Sequence, residues 1–122
     1  MDNNKVNRIL QALRDGDFPV STTHFLEGRP VKRYLGVVAG EAVLGTNVVR
    51  DMFSKLRNIT GGRTAGLEKE LEKARQAALA EMALKAVERG GNAVIGVDID
   101  YDIAEGPIVF VSVNGTAVEV GE

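Results

Sequence analysis

The feature that most constrains this chain is a long helical segment between residues 64 and 91. Ala, Leu, Glu, Lys, Gln, Arg and Met fill almost every position from 67 to 89, no proline interrupts them, and the pair Gly90-Gly91 follows. These residues have the highest helix propensities, and glycine favours the left-handed conformation that ends a helix. At about 1.5 Å per residue, such a helix is roughly 35–40 Å long and crosses the whole domain.

The apolar stripe of this helix changes side. Leu67, Leu71, Ala74 and Ala78 share one face, but the same row continues as Glu81, Lys85 and Glu88. A helix with two apolar faces needs two partners, and a chain of 122 residues has few elements to cover both. We therefore predict an oligomer in which the second half of the helix contacts another subunit through Leu79, Met82, Leu84 and Val87.

The remaining segments predict an α+β domain. An amphipathic arm covers residues 3 to 14, and it could pack on its own domain or on a neighbour. Strands are predicted at 31–39 and 93–101, with Leu35 and Val37 sharing one face of the first, and Ile95 and Val97 one face of the second. A second helix is predicted from Asn47 to Ile59, and residues 108–120 form one strand or two joined at Asn114-Gly115. We divide the chain into an arm, 1–18, and a domain, 19–122.

Composition excludes several classes of function. The net charge is −2 and no basic run is interleaved with aromatics, so we expect no nucleic-acid partner. No apolar run reaches the length of a signal peptide or a membrane span, so we expect a cytoplasmic protein without a membrane partner. The chain has no cysteine, which excludes disulfides and thiolate chemistry. Gly40, Gly45 and Thr46 lack the lysine of a phosphate-binding loop, and no cofactor is identifiable.

Two features are candidate metal ligands. Asp98, Asp100 and Asp102 alternate along a predicted strand, so three carboxylates project from one face and could hold a hard cation. Their alternative role is a solvated face or a set of partners for Lys and Arg across an interface. His24 is the single histidine, and a soft metal site would have to gather it from several subunits around an axis. Its alternative role is that of an exposed loop side chain.

Several blocks in fixed order resemble the YbjQ family. They are Ser21-Thr22-Thr23, Tyr34-Leu35-Gly36-Val37-Val38 with Gly40-Glu41-Ala42, Gly61-Gly62-Arg63, Glu70-Leu71 with Ala74-Arg75, and Ala93-Val94-Ile95-Gly96-Val97 with Asp100-Tyr101. The resemblance implies a dodecin-like β-α-β-β subunit with an antiparallel sheet, assembled as a homopentameric ring. The family is often labelled heavy-metal-binding, which a chain with one histidine and no cysteine supports poorly. The chain departs from the family at His24, where proline is usual, and at Leu67, where tyrosine is common.

Three hypotheses follow. The first is an oligomeric binding or assembly protein without catalysis, because no acid-base or nucleophilic constellation stands out. The second is a metal-binding protein that uses His24 or the three aspartates at subunit interfaces. The third is an enzyme whose site forms between subunits around Arg63, Glu70 and Arg75, since Glu70 and Arg75 do not share a helix face.

Overall fold

The fold is a three-stranded antiparallel sheet with helices on one side. The computed structural model describes residues 3–44, 65–104 and 108–121. In chain order the elements are α1 (Asn3–Asp15), β1 (Val31–Leu44), α2 (Ala65–Glu88), β2 (Ala93–Ala104) and β3 (Ile108–Val120). The strand order is β1-β3-β2, and the predicted α+β class with a small antiparallel sheet and a long helix is confirmed. The predicted helix from Asn47 to Ile59 lies outside the described residues.

The long helix ends as the glycine pair predicts. Gly90 has a φ of 87°, which is the left-handed conformation. The Gly91 N–H donates to the Ala86 carbonyl at 2.8 Å, and the Gly90 N–H donates to the Val87 carbonyl at 2.9 Å. This pair of hydrogen bonds is the Schellman motif, which satisfies carbonyls that would otherwise lack a partner and turns the chain into β2.

The backbone of α2 lies directly on β1 at Gly40. A Cβ atom at Gly40 would overlap the carbonyl oxygen of Ala78 and would lie 2.9 Å from the backbone nitrogen of Met82. Small side chains on the helix permit this approach, and Ala74, Ala78, Ala83 and Ala86 are all buried. Consistently, α2 contacts β1 far more extensively than it contacts β3 or β2.

The main core lies between α2 and the sheet. Met82 is completely buried there, together with Val111 and Val113 of the central strand β3. Because Met82 has no accessible surface within its own chain, it cannot contact a second subunit, and the prediction for Met82 is corrected. The sequence places Met82 on an apolar face, but that face is the one directed at the sheet.

The arm packs on its own domain. α1 lies along the second half of α2, and Ile9 of α1 belongs to the same buried cluster as Met82. At about 100° per residue, Leu84 points roughly 160° away from Met82, so α1 covers a side of α2 that the sheet does not reach. The second partner that the helix requires is therefore supplied at least partly by α1, rather than by a neighbouring subunit alone.

A bulge in β2 changes which residues share a face. The pairing of β2 with β3 shifts between Ile95 and Asp98, and Gly96 within this interval has a φ of 61°. As a result Ile95 packs in a small cluster on one side of the sheet, whereas Val97 packs in the main core on the other. The prediction that Ile95 and Val97 share a face is wrong, because the extra residue inverts the alternation.

β1 contains similar irregularities near its start. Its pairing with β3 shifts between Val31 and Arg33 and again between Tyr34 and Gly36. Leu35 consequently packs against the main core, while the side chain of Val37 points outward and is 69% exposed. The prediction that these two residues share a face is also wrong. From Val37 to Leu44 the pairing is regular.

β3 is one continuous strand through Asn114-Gly115, so the two-strand alternative does not hold. Gly115 lies opposite the β2 bulge, where an added Cβ would come within 2.6 Å of a Val94 methyl group. The glycine therefore makes room for the bulge and does not form a turn. None of the helices in the described ranges is long and apolar enough to cross a membrane.

We predict that Gly40→Ala destabilises the protein by about 1–3 kcal/mol or more, because the new methyl group forces α2 away from β1. Urea unfolding followed by circular dichroism measures this loss. Gly121→Ala is the matched control, since its new methyl group meets the flexible end of the Lys32 side chain. Equal stability of the Gly40 variant and the native protein would show that the helix does not lie on the strand as described.

Candidate functional site

The described residues leave one side of the sheet uncovered over much of its area, and we call it the outer face. It consists of the outward-pointing residues Val37, Ala39, Glu41, Val43, Asp98, Asp100, Asp102, Phe110, Ser112, Asn114 and Thr116. The strand pairing aligns these residues in rows across the sheet. Ala39, Asn114 and Asp98 form one row, and Glu41, Ser112 and Asp100 form the next.

The outer face is more apolar along β1 and β3 than along β2, although the exposed carboxylate of Glu41 lies between Val37 and Val43 on β1. On β1, Val37 and Val43 are 69% and 54% exposed, and on β3 Phe110 is 38% exposed. On β2, all three aspartates are exposed. The bulge in β2 produces this division, because it places Val97 in the core and leaves Asp98 and the alternate residues after it pointing outward.

The aspartates interact with one another. The pKa of the Asp100 carboxyl is raised above its usual 3.8, because Asp98 hydrogen-bonds to the carboxyl group and also repels its charged form. Burial contributes least to this shift. The sequence prediction that Asp98, Asp100 and Asp102 project from one face is consistent with the strand pairing.

His24 lies in the exposed segment before β1. A Cβ at Gly96 would be 3.7 Å from the imidazole Cδ2, so the ring rests beside the bulge of β2. The carbonyl of Thr23, the residue before His24, accepts a hydrogen bond from the Gly96 N–H at 2.8 Å. No group of three or more His, Cys, Asp or Glu side chains suited to a metal occurs among the residues that the structure describes.

The hydroxyl groups near His24 are occupied by local hydrogen bonds. The Thr23 hydroxyl donates to the Phe25 carbonyl at 2.7 Å, and it lies 2.7 Å from the Ser21 hydroxyl. Because the Thr23 hydroxyl proton is donated to Phe25, the Ser21 hydroxyl donates to the Thr23 hydroxyl oxygen. The Ser21 hydroxyl also accepts a hydrogen bond from the Thr23 N–H at 3.1 Å. These bonds shape the turn, and none of them places an imidazole or carboxylate base beside a nucleophile.

The residues of the inter-subunit enzyme hypothesis have separate partners. The Arg75 guanidinium donates to the Tyr101 hydroxyl at 2.9 Å, and the Glu70 carboxylate pairs with Lys73 at 3.5 Å. Arg63 lies outside the described residues. Alternation along β2 places Tyr101 on the helix side with Val97 and Ile99, but the sequence carries no signal for the partner that its hydroxyl group finds on α2.

The predicted interface residues other than Met82 line two surface grooves beside α1. Leu84 and Val87 line a groove of about 570 Å³ between α1 and α2, together with Ile9 and Ala12. Leu79 lines a second groove of about 510 Å³ near Phe18. Val87 is 47% exposed, while Leu79 and Leu84 are half-buried. These three side chains therefore retain surface that a neighbour could contact.

Two comparisons place the chain among known proteins. A family model described as "Putative heavy-metal-binding" matches residues 18–121. A crystal structure of a protein of unknown function from Pediococcus pentosaceus, assigned to the DUF74 family, is 17% identical. That match covers 84% of this chain and 96% of the other, with a TM-score of 0.44.

The residues of this chain do not fit a site for a soft heavy metal. Such metals select thiolate or clustered imidazole ligands, and this chain has no cysteine and one histidine. The aspartates of the outer face offer oxygen ligands, which suit hard cations instead. This chain therefore lacks the soft-metal ligands that the description of its family would require.

We predict that Asp98→Asn lowers the pKa of Asp100 towards 3.8, because it removes the carboxyl group that hydrogen-bonds to Asp100 and repels its charged form. Carboxyl carbon shifts followed by NMR against pH measure the change, with Asp17→Asn as a distant control. A carboxyl whose pKa is raised on folding stabilises the folded state at low pH, and this contribution is lost as the pH rises through the folded pKa. The pH dependence of stability should therefore be weaker in Asp98→Asn, and an unaltered Asp100 pKa would contradict the assignment.

Proposed function

Because the chain belongs to the YbjQ family, we propose that it is a homo-oligomeric assembly protein that closes into a ring and binds other molecules without catalysing a reaction. The family resemblance implies five subunits. Among the described residues, the geometry brings together no nucleophile with a base, so a binding role accounts for the site better than a reaction does.

The observation that carries this proposal is that much of both sheet edges has no backbone partner among the described residues. Within the described residues, no strand pairs with the outer edge of β1, which is 14 residues long. On the other side, residues 19–23 cover β2 only as far as Val97, through hydrogen bonds such as Val94 N–H to the Pro19 carbonyl at 3.0 Å. From Asp98 to Ala104 that edge has no backbone partner among the described residues.

Open edges favour association because their N–H and C=O groups can pair with another chain. The regularly paired parts of the two edge strands are Val37–Leu44 and Asp98–Ala104. They have similar lengths and form opposite edges of the sheet. Joining β1 of one copy to β2 of the next is a head-to-tail contact, which repeats until a ring closes. Leu79, Leu84 and Val87 then add apolar contacts between neighbouring helices.

We predict that sedimentation velocity at micromolar concentration gives one species well above the 13.1 kDa monomer. A pentamer would have a mass of 5 × 13.1 = 65.5 kDa. In hydrogen exchange, the amides of Val37–Leu44 that point away from β3 should then be as protected as the amides of the same strand that bond to β3. A folded monomer would refute the assembly. An oligomer in which the amides pointing away from β3 exchange rapidly would show that surfaces other than this edge form the oligomer.

A second candidate function is binding of a hard cation by Asp98 and Asp100. The raised pKa of Asp100 favours it, because a cation between two crowded carboxylates would relieve their repulsion. Mn²⁺ added to the protein should then broaden the NMR signals of Asp98 and Asp100 before those of other exposed acids such as Glu72. Broadening of all exposed acids alike would remove this candidate.

We further predict that protein purified without a histidine tag holds no stoichiometric transition metal, since each subunit offers one imidazole and no thiolate. Elemental analysis by mass spectrometry checks this directly, and the His24→Ala variant is the matched comparison. One zinc, copper or nickel ion per subunit, lost in His24→Ala, would overturn the prediction and make His24 a ligand.

A further inference from the structure

We propose that protons and salt strengthen the contact between neighbouring copies, because the two sheet edges that meet in the ring carry carboxylates on the same side. This inference rests on the proposed head-to-tail assembly and adds a means of regulating it. It follows from the positions of the charged side chains on the two edge strands.

The head-to-tail contact brings carboxylates of two copies together. Each copy has both helices on one side of its sheet, so a sheet that continues from copy to copy has a continuous outer face. On β1 the exposed acid of this face is Glu41. On β2 the exposed acids are Asp98, Asp100 and Asp102. The joined strands therefore present acids to one another on the same side.

This conclusion holds whatever the register of the joined strands. Side chains alternate along a strand, so Glu41 lies opposite a position of β2 that also points to the outer face. Between Asp98 and Asp102 every such position holds an aspartate. A register shifted two residues further along β2 still leaves Asp102 diagonal to Glu41, at about 7–8 Å. The acid of one copy thus meets at least one acid of the next.

No cation offsets these charges on the part of the outer face that the structure describes. The middle strand β3 presents Phe110, Ser112, Asn114 and Thr116 there, and none of these is charged. The helices lie on the other side of the sheet. The segment before β1 places the imidazole of His24 beside Gly96, within the bulge that precedes the aspartates.

Repulsion between carboxylates is already evident within one copy. Asp98 hydrogen-bonds to the Asp100 carboxyl and repels its charged form, which raises the pKa of Asp100. A carboxylate brought beside others binds a proton more strongly, so the joining of two copies takes up protons. The contact is therefore strengthened as the pH falls through the range in which these carboxyls titrate, and this gain is lost as the pH rises again. Salt screens the same repulsion.

The test measures the concentration at which the native oligomer is half dissociated. Fluorescence-detected sedimentation of protein labelled at its N-terminus, diluted from micromolar to nanomolar concentration, gives this value. Between about pH 7.5 and about pH 4.5 at low ionic strength, we expect it to fall about two- to fivefold, the effect of like charges on neighbouring strands. Added salt at neutral pH should change it in the same direction.

Substitutions of Glu41 separate this effect from other effects of pH. Glu41→Gln should lower the half-dissociation concentration about two- to fivefold at neutral pH and remove most of the dependence on pH and salt. Glu41→Lys should lower it further and reverse the effect of salt, because the ammonium group then pairs with the aspartates. Glu72→Gln and Glu72→Lys, on the exposed surface of α2, are the matched controls. Circular dichroism confirms that each variant keeps its fold at both pH values.

The aspartates provide the second half of the test. In a variant that carries Asp98→Asn, Asp100→Asn and Asp102→Asn, the further change Glu41→Gln should have little effect, because its partners are gone. For an oligomer that does not dissociate on dilution, the rate of subunit exchange between isotope-labelled and unlabelled protein, followed by native mass spectrometry, replaces the half-dissociation concentration. The variants should then follow the same order.

The possible failures can be told apart. An oligomer that responds equally to the Glu41 and Glu72 substitutions, or to neither, would overturn the inference and leave the assembly standing. An effect of Glu41→Gln that persists without the aspartates would do the same, since these acids would then not meet. A monomer under every condition, including Glu41→Lys at neutral pH, would overturn the inference and the assembly together.

Discussion

The contact between the backbone of α2 and β1 at Gly40 determines the rest of this structure. Because a Cβ at Gly40 would overlap the Ala78 carbonyl, the helix lies against the strand itself and not on a layer of side chains. The helix is thereby placed over one edge of the sheet, where it contacts β1 far more than β2. Its small side chains, such as Ala78 and Ala86, are a condition of this packing.

One-sided packing explains both the open edges and the exposed outer face. α1 extends the helical layer over α2 and not over the opposite side of the sheet, so Val37 and Val43 remain exposed. The short segment before β1 protects β2 only up to Val97. The part of the sheet that remains uncovered carries apolar groups along β1 and carboxylates along β2. The proposed assembly through the edges of the sheet follows from the backbone groups that one-sided packing leaves unpaired.

The sequence predicted the long helix well, because propensity and the terminal glycine pair are local signals, and Gly90 adopts the expected conformation. It also predicted that Asp98 and Asp100 project together. The sequence did not predict which residues share a face earlier in β2, because the bulge at Gly96 inverts the alternation. No distinctive sequence pattern marks this bulge. The contact of Arg75 with Tyr101 was missed because alternation identifies the face of Tyr101 but not its partner on α2. Met82 was misassigned because helical periodicity identifies apolar faces but not their partners.

The central claim is that the core covers one side of the sheet, whereas the proposed assembly joins the edges and not the other side. A soluble paramagnetic relaxation agent, added to the native protein, tests this directly by NMR. The account predicts strong relaxation of the methyl protons of Val37 and Val43 and little for those of Val38 and Val113. Equal shielding of the two sets would contradict the account, because it would mean that another copy covers the outer face.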